Sequence, residues 1–171
     1  MQDLQYIEIE TGENPTAAVI WLHGLGASGH DFEPVVPELG LPEDTAVRFI
    51  FPHAPNLPVT INGGMSMPAW YDIKAMDIDR VVDTEQLRAS ADAVAKLVEQ
   101  QKHKGIPPER IIIAGFSQGG AVAYELGLSS PERFGGVLAL STYFATADTV
   151  QRSEANADVP ISVYHGTFDP M

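Results

Sequence analysis

The chain has 171 residues, of which 44% are hydrophobic, and this predicts one folded domain over 1–171 rather than a disordered chain. Its 23 acidic residues outnumber the 10 Lys and Arg residues, and the resulting net charge of −13 disfavours binding to nucleic acid. The absence of cysteine excludes disulfides, thiolate metal ligands and a cysteine nucleophile. The longest apolar run, 17–22, is too short to span a membrane, and residues 1–4 lack a signal-peptide pattern, so we expect a cytoplasmic protein.

Apolar segments bounded by turn residues predict the strands of a sheet. Segment 6–10 alternates between apolar and polar residues, which suits a half-exposed edge strand. Continuous apolar runs are typical of parallel strands that are covered on both faces. Such runs occur at 17–22, 46–51, 111–114, 136–140 and 161–164.

Helical periodicity lies between these segments. Residues 83–104 carry an apolar stripe, and Asp83 or Thr84 can cap its start. A weaker helix is predicted over 31–39, where two prolines interrupt the pattern, and another over 121–126. Strands that alternate with helices predict an α/β fold with a mostly parallel central sheet and helices on both faces.

The segment 52–73 fits neither a strand nor a helix pattern, because four prolines and a Gly-Gly pair interrupt it. Its apolar side chains argue against disorder and predict a long ordered loop. Two interpretations stay open, namely a cover over a substrate groove and a loop that packs a small core of its own. The apolar residues are Leu57, Met65, Met67, Trp70 and Tyr71.

The sequence GFSQG at 115–119 matches the G-x-S-x-G pattern of a nucleophilic serine. A predicted strand precedes it and a predicted helix follows it, and in this setting a serine sits on a strained turn with its hydroxyl exposed. Gly115 and Gly119 are expected where crowded backbone leaves no room for a side chain. Ser117 is therefore the predicted nucleophile, and a glycine-rich turn without catalytic meaning is the alternative.

Two more segments supply the predicted partners of this serine. HGLG at 23–26 follows a strand and suits an oxyanion loop, so we assign the backbone N–H groups of Leu25 and Gln118 to the oxyanion hole. We expect His23 to brace this loop rather than to act as a base. Asp169 follows the last predicted strand, which is the position expected for the acid of a catalytic triad.

Four motifs resemble, in this order, those of the bacterial carboxylesterase and acyl-protein thioesterase family of α/β-hydrolases: WLHGLGASGHDFEP, MPAWYDI, AGFSQGGAVA and HGTFDPM. The resemblance runs from about residue 17 to residue 171. It implies an α/β-hydrolase fold, hydrolysis of carboxylic esters, acyl thioesters or lysophospholipids, and no metal or organic cofactor. It also implies that Ser117 is the nucleophile, Asp169 the triad acid, and Leu25 and Gln118 the oxyanion donors. The loop containing Trp70 would border an acyl groove.

The family pattern places a catalytic histidine in a Gly-His pair beyond the triad acid, and this sequence ends at Met171 before such a pair. We therefore expect a fold that lacks its last strand and helix, and little esterase activity, because loss of the base costs about a millionfold in a serine hydrolase of another fold. Replacement of the base by His23 or His165 is the alternative, although His165 precedes Asp169 by only four residues. The uncovered edge at 161–164 also predicts pairing of two copies as a homodimer, or aggregation.

The leading prediction is a serine esterase that forms an acyl-enzyme on Ser117 and acts on a small-molecule ester or an acylated substrate. An alternative from another class is a non-catalytic protein that binds an acyl or hydrophobic ligand in the same groove. A third is a related hydrolase that acts on peptides or lactones. Apolar character and loop position select the groove residues, although each could equally be ordinary core; they are Leu57, Met67, Trp70, Tyr71 and Phe116.

Overall fold

A computed structural model describes residues 2–76 and 80–170, so Met1 and Met171, the ends of the predicted domain, lie outside the described residues. The division into one domain stays a prediction. Two α-helices form within those ranges, α1 (Thr84–His103) and α2 (Gln118–Ser129), together with 3₁₀ segments at Glu33–Leu39, Thr60–Asn62, Pro108–Arg110 and Glu154–Asn156. The strands of the same ranges are β1 (Tyr6–Glu10), β2 (Ala17–Leu22), β3 (Val47–Pro52), β4 (Asn56–Val59), β5 (Met65–Pro68), β6 (Ile73–Ala75), β7 (Val81–Val82), β8 (Ile111–Phe116), β9 (Gly136–Leu140) and β10 (Ile161–Tyr164).

The central sheet has the strand order β1–β3–β2–β8–β9–β10. β1 runs antiparallel to β3, and the other neighbouring strands are parallel. The carboxyl ends of β2, β8, β9 and β10 therefore meet at one edge of the sheet, where open α/β sheets bind their ligands. The predicted α/β fold with a mostly parallel sheet is confirmed.

The inner strands are apolar throughout because both of their faces are covered. On one face, Ile20 and Ile113 pack with α1 and α2 in the larger core cluster. On the other face, Trp21 and Phe49 pack against Val36 of the first 3₁₀ segment. The element predicted as a helix over 31–39 is thus a 3₁₀ segment, since its prolines lack the N–H donors that an α-helix needs.

α1 begins after Asp83, whose carboxylate accepts a hydrogen bond from the Gln86 N–H at 3.0 Å and so caps the helix. The predicted apolar stripe faces the core, where Leu87 and Leu97 are fully buried. The helix ends one residue before the predicted limit, and Gly105 follows with a φ of 92°. Neither this helix nor any other in the described part of the chain is long and apolar enough to cross a bilayer.

The segment 52–73 is more regular than predicted. β4 and β5 pair as an antiparallel ribbon, with Leu57 opposite Met67. The chain then enters the larger core cluster, where Trp70 and Tyr71 have no exposed surface. Prolines are tolerated in edge strands, and every strand of a two-stranded ribbon is an edge strand, so the prolines did not exclude strands here. The segment contributes to the main core instead of forming a small one of its own.

Candidate active site

Ser117 lies between the end of β8 and the start of α2, at the carboxyl edge of the sheet. Its backbone has φ 53° and ψ −118°, a conformation that costs a non-glycine residue on the order of 1–3 kcal/mol. The Ser117 N–H donates to the Leu140 carbonyl at 3.0 Å, and the Ser117 carbonyl accepts from the Thr142 hydroxyl at 2.5 Å. β9 and the loop after it therefore hold the strained turn, and the serine stays half-exposed.

Gly115 and Gly119 stand where neighbouring backbone crowds this turn. A Cβ atom on Gly115 would lie 2.3 Å from the Gly119 carbonyl oxygen, and one on Gly119 would lie 2.5 Å from the Leu22 carbonyl oxygen. Both distances are far shorter than a van der Waals contact, so neither position accommodates a side chain. As a result, α2 begins directly behind the serine and against the end of β2.

Residues 23–26, the oxyanion loop, follow β2 at the same edge of the sheet. Among the described residues, no turn or loop hydrogen bond uses the N–H of Leu25 or Gln118. Gln118 is the first residue of α2, and the first N–H groups of a helix lack intrahelical acceptors and lie at its positive end. The two amides are thus available to an oxyanion formed at Ser117, and this role stays a prediction.

His23 is buried, and both of its ring nitrogens have partners in the protein. Nδ1 lies 2.7 Å from the Gly24 carbonyl oxygen and therefore carries the proton, while Nε2 accepts from the Ala54 N–H at 3.0 Å. Burial lowers the pKa of His23, which keeps the ring neutral at neutral pH. These are the contacts of a residue that braces the oxyanion loop, not those of a general base.

Asp169 lies on the turn after β10, and β10 is two strands from β8 along the same edge. Its carboxylate is 3.7 Å from Nε2 of His165, and its N–H donates to the Gly166 carbonyl at 3.0 Å. Within 2–76 and 80–170, no hydrogen bond joins the Ser117 hydroxyl to a histidine, and no group of three His, Asp or Glu side chains could hold a metal ion. The shared edge permits the predicted pairing of nucleophile and acid, which stays a prediction.

The five predicted groove residues fall into two groups. Leu57, Met67 and Phe116 are half-buried and keep surface that a substrate can reach. Trp70 and Tyr71, by contrast, are fully buried, and their polar groups bond to protein atoms. This corrects their predicted place in the groove lining. They are core residues whose backbone bonds to the Gln118 side chain.

Sequence reasoning missed the hydrogen bonds that hold the site together. The Gln118 side chain bonds to the backbone of Trp70 and Tyr71. The Tyr71 and Tyr143 hydroxyl oxygens lie 2.5 Å apart, and the Arg80 guanidinium stacks 4.1 Å from the centre of the Tyr143 ring. Burial raises the pKa of Tyr71 well above its ordinary value, so its phenol stays protonated. The bonded residues are 47 to 72 positions apart in the sequence, and no local pattern indicates such pairs.

A serine on a strained turn between strand and helix, at the carboxyl edge of a mostly parallel sheet, is the arrangement of the α/β-hydrolases. The sequence matches the phospholipase/carboxylesterase family over residues 4–171, and the chain belongs to this family. Acyl-protein thioesterase 1 of Gibberella zeae is 40% identical over 166 residues, which cover 91% of this chain and 71% of that protein.

Solved structures agree with this assignment. The crystal structure of Arabidopsis thaliana SOBER1 matches with a TM-score of 0.83 at 31% identity, and covers 89% of this chain and 74% of that one. Zea mays acyl-protein thioesterase 2 matches with a TM-score of 0.81 at 27% identity, over 95% of this chain and 75% of that one. The predicted family and the α/β-hydrolase fold are confirmed, with similar proteins in a fungus and in plants.

Proposed function

We propose that the protein hydrolyses carboxylic esters and acyl thioesters through an acyl-enzyme on Ser117. The observation that carries this proposal is the Ser117 backbone, with its φ of 53° between β8 and α2. Such strain persists only where the surrounding structure enforces it, and here it occurs at the carboxyl edge of the sheet, the position of a nucleophilic serine in this fold. Membership of a carboxylesterase family supports the same reaction.

The first half of the reaction transfers the acyl group to the enzyme. The Ser117 oxygen forms a bond to the carbonyl carbon, its proton passes to a base, and the carbonyl oxygen becomes an oxyanion. The N–H groups of Leu25 and Gln118 stabilise that charge. The oxyanion then collapses, the C–O or C–S bond to the leaving group breaks, and the leaving group takes a proton.

The second half releases the acid. Water loses a proton to the base and attacks the acyl-enzyme, and the Ser117 oxygen leaves with a proton. Asp169 is the proposed acid that orients the base. Among the described histidines, His165 contacts Asp169, but no hydrogen bond joins its ring to Ser117. We therefore expect slow turnover from the 171-residue chain.

Apolar side chains beside the serine favour an acyl substrate. Leu57 and Met67 are directly opposite each other in the β4–β5 ribbon, so their side chains share one face. Met67 also reaches the oxyanion loop, since a Cβ atom on Gly26 would lie 3.9 Å from its sulfur. Phe116 precedes the nucleophile and packs 5.4 Å from the ring of Phe32. We propose a small acyl ester or an acylated protein as substrate, and a cytoplasmic location stays a prediction.

A fluorophosphonate probe tests the proposed nucleophile, because it forms a covalent bond with a nucleophilic serine hydroxyl. The probe is expected to label the unaltered chain at one site, slowly, because no described histidine forms a hydrogen bond with Ser117, and Ser117→Ala should abolish the label. Ser141→Ala is the matched control, since Ser141 is another serine of positive φ, 42°, at the same edge of the sheet. Its removal should leave the label in place.

Two results would count against the proposal. Labelling that persists in Ser117→Ala would place the reactive group elsewhere. Saturable binding of a fatty acid by a chain that no probe labels would favour the non-catalytic binding protein instead.

A further inference from the structure

We propose that the Gln118 side chain is a positioning residue that fixes the spacing between the two oxyanion donors. Its backbone N–H is one proposed donor, and its side chain holds the segment that supports the other. This inference rests on the proposed function, since it assigns a task within that site. It adds a role for an amide side chain that touches no substrate.

The Gln118 side chain contacts the segment after β5 through two hydrogen bonds. The side-chain Oε1 accepts a hydrogen bond from the Trp70 N–H at 2.7 Å, and Nε2 donates to the Tyr71 carbonyl at 2.6 Å. Gln118 is only 1% exposed, so water cannot replace either bond. The amide thus pairs with the backbone of two consecutive residues as a peptide group would.

Further hydrogen bonds join this segment to the oxyanion loop. The Trp70 indole N–H donates to the His23 carbonyl at 2.8 Å, and the Gly26 N–H donates to the Pro68 carbonyl at 2.8 Å. These bonds reach the loop on both sides of Leu25, whose N–H is the second proposed donor. The Trp70 carbonyl in turn accepts from the Ser90 hydroxyl of α1 at 2.5 Å, which anchors the segment in the core.

These hydrogen bonds bear on the distance between the two proposed oxyanion donors. The two donors follow β2 and β8, which are neighbouring strands of the sheet, and each donor lies beyond the end of its strand. The path from the Gln118 amide through Trp70 to the oxyanion loop links them through buried hydrogen bonds. A misplacement of about 1 Å in an active site can cost on the order of a hundredfold in rate.

Substitution of the side chain separates this role from the donor role, because the backbone N–H of residue 118 remains. Gln118→Met keeps the length and removes both hydrogen bonds. Gln101→Met is the matched control: Gln101 is also fully buried, and it accepts one bond from Arg48 at 2.9 Å near the start of β3, at the opposite edge of the sheet. Both variants lose a buried amide, but only one touches the proposed path.

The readout is the rate at which the fluorophosphonate probe labels Ser117, measured over a range of probe concentrations. Gln118→Met should lower the maximal rate about 10- to 100-fold and leave the half-saturating concentration unchanged, since binding of the probe does not need the oxyanion hole. Gln101→Met should label at the rate of the unaltered chain.

Gln118→Glu supplies a rescue that a merely structural role would not show. The charged carboxylate can accept from Trp70 but cannot donate to Tyr71, whereas the protonated acid can do both. Burial disfavours the charged form. The labelling rate of this variant relative to the unaltered chain should therefore rise as the pH falls.

Each outcome decides between the alternatives. Equal labelling of the two Met variants, or a ratio for Gln118→Glu that does not change with pH, would overturn the positioning role and leave the proposed function standing. A chain that, before any substitution, is not labelled even after prolonged incubation with excess probe would overturn the proposed function, and the positioning role with it. If Gln118→Met does not fold, the pH dependence of Gln118→Glu decides alone.

Discussion

At the scale of single residues, Ser117 combines a positive φ with two nearby glycines, Gly115 and Gly119, that lie against other backbone atoms. Gly119 lies where the first turn of α2 contacts the end of β2. A Cβ atom on Gly119 would lie 2.5 Å from the Leu22 carbonyl oxygen and 2.6 Å from the His23 carbonyl oxygen. Both obstacles are backbone atoms, which cannot rotate away. The close approach of α2 to the end of β2 therefore requires a residue without a side chain at position 119.

Gly119→Ala should destabilise the protein by about 1–3 kcal/mol, because the added methyl group forces helix and strand apart. It should also slow labelling of Ser117, since the turn moves with the helix. Urea denaturation measures the first effect. Gly166→Ala is the control, because its Cβ atom would make only an ordinary contact of 3.8 Å. Equal stability of the two variants would contradict the close packing at Gly119.

His23 adds a pH dependence to stability. Its pKa is lowered from the usual 6.5 by burial, so below pH 6.5 the unfolded chain binds a proton more readily than the folded one. The contribution of the neutral ring is complete above pH 6.5 and is lost as the pH falls towards the lowered pKa. Between pH 7.5 and 5, the Tm of the unaltered protein should fall more steeply than the Tm of His23→Asn. His103→Asn, which replaces an exposed histidine, is the control and should follow the unaltered protein. Identical slopes in all three proteins would contradict the buried neutral ring.

The strained turn at Ser117 could be predicted from sequence, but the side-chain contacts around it could not. The pattern at 115–119 carries local steric information, and the structure places Ser117 on a strained turn where that pattern predicts one. The bonds from Gln118 to Trp70 and Tyr71 depend on tertiary packing across 48 and 47 positions, respectively. For the same reason, apolar character and loop position could not decide between the groove and the core for Trp70.

At the scale of elements, prediction succeeded where one strong pattern dominates, either a helical period or strand alternation, or a continuous apolar run. α1 and the strands of the central sheet carry such patterns, and their observed limits differ from the predicted ones by two residues or fewer. Prediction failed at Glu33–Leu39, where proline permits a 3₁₀ segment. It also failed at the β4–β5 ribbon, because short strands with prolines give no clear alternation.

The contribution of the α1 N-cap to stability can be tested by substitution. Asp83→Ala should lower the free energy of unfolding at pH 7 by about 1 kcal/mol, because the Gln86 N–H loses its acceptor. The hydrogen bond from Gln86 lowers the pKa of Asp83 from 3.8, so the contribution is present above that pH and is lost as the pH falls. Asp92→Ala, at an exposed position within α1, should not destabilise the protein in urea titrations. A loss that persists at pH 2 would contradict the role of the charged cap.

At the scale of the whole molecule, the net charge and an exposed sheet edge have opposite effects on the association of two copies. β10 pairs with β9 alone among the described strands, and Ile161, Val163 and Tyr164 are 42%, 60% and 63% exposed. An exposed apolar edge strand favours pairing with a second copy. The net charge of −13 repels that copy, and salt screens the repulsion.

We therefore expect the 171-residue chain to associate more strongly as salt and protein concentration rise. Val163→Lys should weaken association by placing a charge on the edge, whereas Val81→Lys, at an exposed position of the β6–β7 ribbon, should not. Light scattering measures the mass. A stable monomer at high concentration and high salt would contradict pairing through β10.

The most direct test of the central claim is the covalent intermediate itself. The chain is incubated with a long-chain nitrophenyl ester, quenched in acid and cleaved with trypsin, which releases residues 111–133 as one peptide. Mass spectrometry should show one added acyl group on Ser117, and none in Ser117→Ala. An acyl group on any other residue, or an equal yield from the alanine variant, would contradict an acyl-enzyme at this serine.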